Sequence, residues 1–337
     1  MHYYVNWNRK RNGVLRMLSN ASVEQVAAAL HEASRLLLLG HISPDGDSLG
    51  SLLALRQILL HKGKQVAVYV PDGVPARYRF LPGASEVLHD STQLPEGDVT
   101  VVVLDCGEWD RVGLAADRFS GQVVVNIDHH RTSRGLGQAN YLDSDAAATG
   151  LLLMRLFAHW QEKLDVPTAT CLYTAIASDT GFFRYSNTTA EVHQVAAQLL
   201  AAGAEQELVT ESLEGKTISF LKALGLVLER LSMFAGDKGA YSYLKALDLE
   251  TLGISSSEVD GLVNYPRSLV GVQVAAFLVE VDPDVFKVSL RSRPPLDVSV
   301  LAAQFGGGGH ARAAGCTLRG SIDECLEQLA GAVEKEG

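Results

Sequence analysis

Three short apolar runs, Arg35–Gly40, Val99–Asp105 and Gln122–Asp128, constrain this chain more than any other feature. None alternates apolar with polar residues, and all are rich in leucine or valine. A short continuous run of this kind is the pattern of a strand buried on both faces, which is the situation of a parallel sheet covered by other layers. Each run also stops abruptly at a polar residue: His41 after the first, Asp105 at the end of the second, and Asp128, His129 and His130 at the end of the third.

The segments between the runs read as helices. Ser22–Val–Glu–Gln25 is a capping box opening a helix to about Ser34, and Thr188–Thr–Ala–Glu191 is a second one opening a helix to Ala202. Ser48–His61, Ala147–Trp160 and Pro167–Ala177 have helical patterns, and Gln65–Val70 is a further strand. Strands separated by helices imply an α/β fold, a mainly parallel sheet with helices on both faces. Beyond Gly203 the pattern changes. Glu205–Phe234 is largely helical, Ala240–Leu244, Val272–Val281 and Val285–Arg291 read as strands, and Ser255–Glu258 and Ser321–Glu324 are capping boxes of two later helices. The expected organisation is a first domain over residues 1–203, a helical linker over 204–235 and a smaller α+β domain over 236–337.

Composition narrows the function classes. Of 337 residues, 47% are hydrophobic and 20% charged, as in an ordinary globular protein. No apolar run approaches the ~18 residues of a membrane helix. The N-terminal MHYYVNWNRKRNGVLRM is basic but has no apolar core or small-residue cleavage site, so it reads as a leader rather than a signal peptide, with a cytoplasmic location as the default and no membrane partner. The cysteines Cys106, Cys171, Cys316 and Cys325 form no C-x-x-C pair and read as buried thiols. A net charge of −10 argues against long nucleic acid as a ligand, although not against a small phosphorylated substrate.

The polar strand ends converge on one chemistry. In open α/β sheets ligands bind outside the carboxyl ends of the strands. That edge collects His41, Asp45 and Asp47 from GHISPDGDSLGS, Asp105 from VVVLD, and Asp128, His129 and His130 from NIDHH; a later helix delivers Asp179 in ASDTGFFRYS. Taken singly, each has an ordinary explanation as a helix cap or a turn. Four segments meeting at one edge are better explained by a metal site. Carboxylates and imidazoles without thiolate suit Mn²⁺ or Mg²⁺, with Zn²⁺ or Fe²⁺ as alternatives. Asp45, Asp47, Asp105, Asp128 and Asp179 would repel one another strongly. Two cations about 3.5–4 Å apart would neutralise them and clamp an in-line phosphoryl displacement. Gly46 is expected to let the loop turn so that its flanking aspartates face different ions. GKT at Gly215–Thr217 has Thr210 where a phosphate-binding loop needs glycine, and no G-x-S-x-G is present.

HISPDGDSLGS, VVVLDCGE, NIDHHRT and ASDTGFFRYS together resemble the four ordered motifs of the DHH phosphoesterases. FGGGGHARAAG at residues 305–315 is similar to the GGGH signature of the DHHA1 domain that follows in one subfamily, with one additional glycine, Gly306. The resemblance implies a DHH domain followed by a DHHA1 domain, with the active site in the cleft between them. It implies two divalent cations, Mn²⁺ with Mg²⁺ as the alternative. His41 and Asp45 would hold one, Asp47, His129 and Asp179 the other, with Asp105 bridging. Asp128 would orient His129, and His130 would face the scissile phosphate. The reaction implied is attack on phosphorus by a water that the two cations activate. Arg291 is similar to the arginine of this domain that grips a terminal phosphate, with Arg293 a weaker candidate. Gly307, Gly308, Gly309 and His310 would contact the substrate, with Asn264 and Arg267 as further candidates.

Within such a family the short chain and acidic balance favour short substrates. The expected activity is hydrolysis of short oligoribonucleotides, including linear dinucleotides such as pGpG, together with dephosphorylation of 3′-phosphoadenosine 5′-phosphate. A RecJ-like exonuclease on longer single-stranded DNA, an inorganic pyrophosphatase and a non-catalytic nucleotide-binding module are the alternatives. A homodimer is left open.

Overall fold

The chain divides into two compact units, Met1–Gly215 and Lys216–Gly337. The computed structural model describes residues 20–119 and 122–336, so the N-terminal stretch read as a leader lies outside the described residues.

In the first unit the elements run α1 (Val23–Glu32), β1 (Arg35–Leu39), α2 (Gly46–His61), β2 (Gln65–Tyr69), β3 (Thr100–Leu104), α3 (Trp109–Val112), β4 (Val124–Asp128), β5 (Ala139–Leu142), α4 (Thr149–His159), α5 (Val166–Asp179), α6 (Ala190–Ala201) and α7 (Gln206–Glu214). The five strands form one all-parallel sheet in the order β2-β1-β3-β4-β5. The three runs that end in polar residues are therefore the three adjacent strands β1, β3 and β4. Successive side chains of a strand point to opposite faces, and here both faces are buried. Leu36, Leu38, Val102, Leu104, Val125 and Ile127 join the core beneath α1, α2, α4 and α5. Leu37, Leu39, Val101, Val103 and Val124 join a second core with Cys106, Val112 and Phe119. The helical cover on this second face is short: α3 has four residues, and the remainder includes single 3₁₀ turns such as Ala116–Phe119.

The capping box at Ser22 is formed. The one expected at Thr188 is not: Thr189 is the N-cap of α6, its hydroxyl accepting from the Val192 amide. The box at Ser255 is formed but opens a 3₁₀ helix, Ser256–Val263, rather than an α-helix. Strand β5 carries no sequence signal. Its Asn140 is buried because the side-chain amide bonds both backbone groups of Gly137.

The second unit contains α8 (Ile218–Glu229), β6 (Ser232–Phe234), β7 (Gly239–Leu244), α9 (Ala246–Leu252), α10 (Asn264–Ser268), β8 (Val274–Asp282), β9 (Val285–Ser292), α11 (Val298–Gln304), β10 (Gly308–His310), β11 (Ala313–Arg319) and α12 (Ile322–Glu336). Its mixed sheet has the order β10-β11-β9-β8-β7-β6, with β7 and β8 parallel and the other pairs antiparallel. The helical stretch after Gly203 is shared between the units. Val209 of α7 lies in the first unit's core, whereas Ala223 and Val227 of α8 lie in a core of the second with Phe277 and Val279.

Candidate metal centre

The carboxyl ends of β1, β3 and β4 open onto one buried polar cluster. His41 follows β1, Asp105 follows β3, and Asp128, His129 and His130 end or follow β4. Asp45 is the N-cap of α2, its carboxylate accepting from the Ser48 amide at 3.0 Å, so it is both a cap and a member of the cluster. Asp47 lies in the first turn of α2, and Asp179 is the last residue of α5. Asp105, His129 and His130 form one triad with ligand atoms close enough for a cation, and two further triads, His41, Asp45 and Asp105, and Asp47, His129 and Asp179, divide the expected ligands between two positions. Asp105 stands between them. Its Oδ2 is 3.4 Å from His41 Nε2 and its Oδ1 is 3.6 Å from His129 Nε2. His129 Nε2 also lies 3.2 Å from Asp179 and 3.6 Å from Asp47. All six residues expected to hold metal are thus gathered in the first unit.

The electrostatics of this cluster fit divalent cations. Asp47 is fully buried, and burial together with the nearby Asp179 pushes its carboxyl up to about 7. Burial and the surrounding aspartates, Asp47 first among them, drive Asp105 well above the ordinary carboxyl range. Burial lowers the affinity of His129 for a proton, yet the close carboxylate of Asp179 and the charge of Asp47 outweigh this and raise it to about 9. The Nε2 atoms of His41 and His129 are buried without hydrogen-bond partners, although buried polar atoms are nearly always satisfied. Their Nδ1 atoms are held by carbonyls, of Ile42 at 2.7 Å and of Ala146 at 3.1 Å, which turns both Nε2 lone pairs into the cluster. Asp105 is itself in the left-handed backbone region, with φ +57°, which is uncommon for a residue with a side chain.

Two expectations about this loop network need correction. Asp128 does not orient His129. Its Oδ1 accepts from His130, at 2.7 Å from Nδ1 and 3.2 Å from the backbone amide, while the Ala146 carbonyl orients His129. Hydrogen bonding to His130 outweighs burial and holds the Asp128 carboxyl below its usual range. Gly46 does not serve a turn, being the first residue of α2. A Cβ there would meet Ser178 Cβ at 2.6 Å, so it is glycine because α5 approaches closely. Gly50, one turn on, makes the same approach: its Cβ would lie 2.4 Å from the Cys171 carbonyl oxygen. These two glycines let the end of α5 bring Asp179 beside Asp47.

The substrate-contact candidates of the second unit lie near one another within it. Register pairs His310 with Ala313 and Ala313 with Arg291, placing His310 and Arg291 in one row across β10, β11 and β9. Directly paired residues project to the same face. Burial, and then the neighbouring positive charge of Arg267, hold Arg291 below the ordinary guanidinium range. Arg293 donates to the Arg267 carbonyl at 3.2 Å, and Asn264 is exposed with its amide on Gly261. Three of the four glycines have backbone reasons. Gly306 has φ +70°, and Cβ atoms on Gly307 and Gly309 would strike the Gly315 and Ala313 carbonyls at 2.1 and 2.5 Å. Gly308 has open space around it and no such reason.

Two residues were not legible as site residues. Thr149 begins α4 and is fully buried. Its hydroxyl donates to Asp105 at 3.0 Å, its amide to Asp47 at 2.6 Å, and the next amide, of Gly150, to Asp47 at 3.0 Å. Its partners lie 44 and 102 residues away in sequence, so no local pattern marks it. Arg111 of α3 places Nη2 at 3.0 Å from His41 Nδ1.

Comparison with known proteins adds a family relationship. The profile of the DHH family, N-terminal domain, matches residues 35–176, and that of the DHHA1 domain matches residues 236–335. The chain is 36% identical over 299 residues to a bifunctional oligoribonuclease and PAP phosphatase of Thermus thermophilus, covering 88% of each chain. It is 28% identical to the Bacillus subtilis protein of the same description, over 88% of this chain and 92% of that one. Among solved structures, an exopolyphosphatase-related protein from Bacteroides fragilis superposes with a TM-score of 0.79 at 26% identity, over 93% of this chain and 95% of that one.

Proposed function

The chain belongs to the DHH/DHHA1 phosphoesterase family and is a hydrolase; from that premise we propose that it cleaves short oligoribonucleotides, linear dinucleotides such as pGpG among them, to mononucleotides, and removes the 3′-phosphate of 3′-phosphoadenosine 5′-phosphate. The observation that carries this reading is the position of Asp105, with one carboxylate oxygen toward each of the two triads that divide the ligands. The substrate class is supported by the likeness to the two bifunctional oligoribonucleases and PAP phosphatases. The net charge of −10 supports short substrates over long strands.

His41, Asp45 and Asp105 would hold one divalent cation and Asp105, Asp47, His129 and Asp179 the other, Mn²⁺ being the ion proposed. The chemistry that such cations supply is polarisation of the phosphoryl oxygens and acidification of water. The protein's own groups do the rest. Backbone amides of Thr149 and Gly150 and the Ser51 hydroxyl fix Asp47. Asp128 holds Nδ1 of His130 and fixes the ring, so that Nε2 is the nitrogen left to meet a phosphoryl oxygen or the leaving group. The His130 side chain is 37% exposed, unlike its buried neighbours, as a group that must meet substrate requires. In the second unit, Arg291 and His310 are assigned to the non-reacting phosphate, Gly308 to close backbone approach, and Asn264 and Arg267 to polar contacts with the rest of the substrate.

The test is hydrolysis in Mn²⁺ of pGpG, 3′-phosphoadenosine 5′-phosphate, pyrophosphate and a long DNA single strand, assayed in parallel. Rapid turnover of the first two is expected. Preference for pyrophosphate or long DNA would overturn the substrate assignment while leaving the metal centre intact.

A further inference from the structure

Five arginines of the described residues are buried or half-buried: Arg56, Arg111, Arg155, Arg230 and Arg291. Three are neutralised. Arg56 pairs with Glu86, Arg155 with Asp143 and Glu191, and Arg230 with Asp248. Among the described residues, Arg111 and Arg291 have no carboxylate in ion-pair contact. A guanidinium taken partly out of water without an anion carries an uncompensated cost, and one reason for a fold to carry it is that a ligand supplies the anion. Arg291 is already assigned to a substrate phosphate. Arg111 has the same signature in the other unit, beside the metal cluster.

Its present contact does not explain it. The guanidinium reaches His41 Nδ1 at 3.0 Å, but that nitrogen also lies 2.7 Å from the Ile42 carbonyl. A guanidinium only donates. When His41 offers Nε2 to a cation, the ring hydrogen sits on Nδ1, and Ile42 is the neighbour that can accept it. Arg111 then contributes nothing to holding His41, and its donors are left without a partner at the edge of the site. Its backbone is anchored by the Ile42 amide, which donates to the Arg111 carbonyl at 2.7 Å and fixes the root of the side chain.

We propose that Arg111 is a substrate-contacting residue of the first unit, released from His41 on metal loading to hold a non-bridging phosphate oxygen beside the metal pair. The inference rests on the metal-centre reading given above. Planar, forked donors suit a phosphate with two free oxygens, so lysine in its place keeps the charge and loses the fork.

The experiment compares wild type, Arg111→Gln and Arg111→Lys. For each, the affinities for Mn²⁺ alone, for inorganic phosphate with Mn²⁺, and for the phosphorothioate analogue of a linear diguanylate with Mn²⁺ are measured by calorimetry. The expected result for Arg111→Gln is unchanged Mn²⁺ affinity with both anions weakened about tenfold or more; Arg111→Lys is expected to fall between. Unchanged anion affinities would overturn the proposal. So would weakened Mn²⁺ binding, which would make Arg111 a support of His41. A wild type that binds phosphate through Arg111 but not the dinucleotide would leave this inference standing and refute the oligonucleotide reading instead.

Discussion

At the scale of single residues, the cluster is a set of carboxylates in conflict until a cation arrives. Asp105 is the sharpest case, being buried, surrounded by four other aspartates that raise its proton affinity, and left-handed at φ +57°. Asparagine tolerates that backbone, nearly matches the shape and carries no charge. Asp105→Asn is therefore expected to raise the melting temperature of the metal-free protein while lowering kcat by on the order of 10²–10³-fold or more. A lower melting temperature with activity retained would contradict both halves. Asp128 makes a separable prediction, because its hydrogen bonds go to His130 and not to His129. Asp128→Ala should lower kcat by on the order of 10²-fold and leave Mn²⁺ affinity within about threefold of wild type. A large loss of Mn²⁺ affinity would return Asp128 to the role of orienting a metal ligand. The six ligand-type residues were legible because each sits at or near the end of an element that the sequence itself marks. The role of Asp128 was not, since Asp-His-His does not say which imidazole the carboxylate reaches.

At the scale of elements, the site depends on how closely α2 and α5 approach. Gly46 and Gly50 face α5, where Ser178 and the Cys171 carbonyl leave no room for a Cβ. Gly50→Ala would place a methyl against backbone, which cannot rotate away. The expected cost is about 1–3 kcal/mol of stability, together with weaker Mn²⁺ binding as Asp179 is pushed from Asp47. Thermal unfolding and a Mn²⁺ titration check it, and an unperturbed variant would show that the helices have slack. This contact also marks the limit of sequence reading. Strands β1, β3 and β4 were legible because burial on both faces leaves unbroken apolar runs. By contrast, GDSLGS gives no hint that its glycines serve helix packing, and Gly46 was accordingly read as a turn residue. Thr149 was hidden for the same reason, as its partners come from distant strands and helices. The short β5 and β10 lack any periodic signal, and β10 is mostly glycine.

At the scale of the whole molecule, the cluster couples pH, cations and stability. The Asp47 carboxyl rises from an ordinary 3.8 to about 7, so its neutral form favours the fold and that advantage disappears as pH climbs through 7. His129 rises from 6.5 to about 9; the stability it contributes is full below 6.5 and lost as pH passes 9. The two act in the same direction. Cations replace these protons, so the gain in melting temperature on adding Mn²⁺ should be larger at about pH 8.5 than at about pH 6. Equal gains at both values would show that protons and cations do not compete for the cluster. Among the described residues no helix is long and apolar enough to cross a membrane. The net charge of −10 places this local need for cations in a globally acidic protein.

The most direct test is a calorimetric Mn²⁺ titration at about pH 7.5, repeated in buffers of different ionisation enthalpy and with Asp105→Asn. Two equivalents of Mn²⁺ per chain, release of at least one proton on binding, and loss of the paired binding in the variant are expected. A single equivalent, or two that bind without proton release and persist in Asp105→Asn, would contradict it.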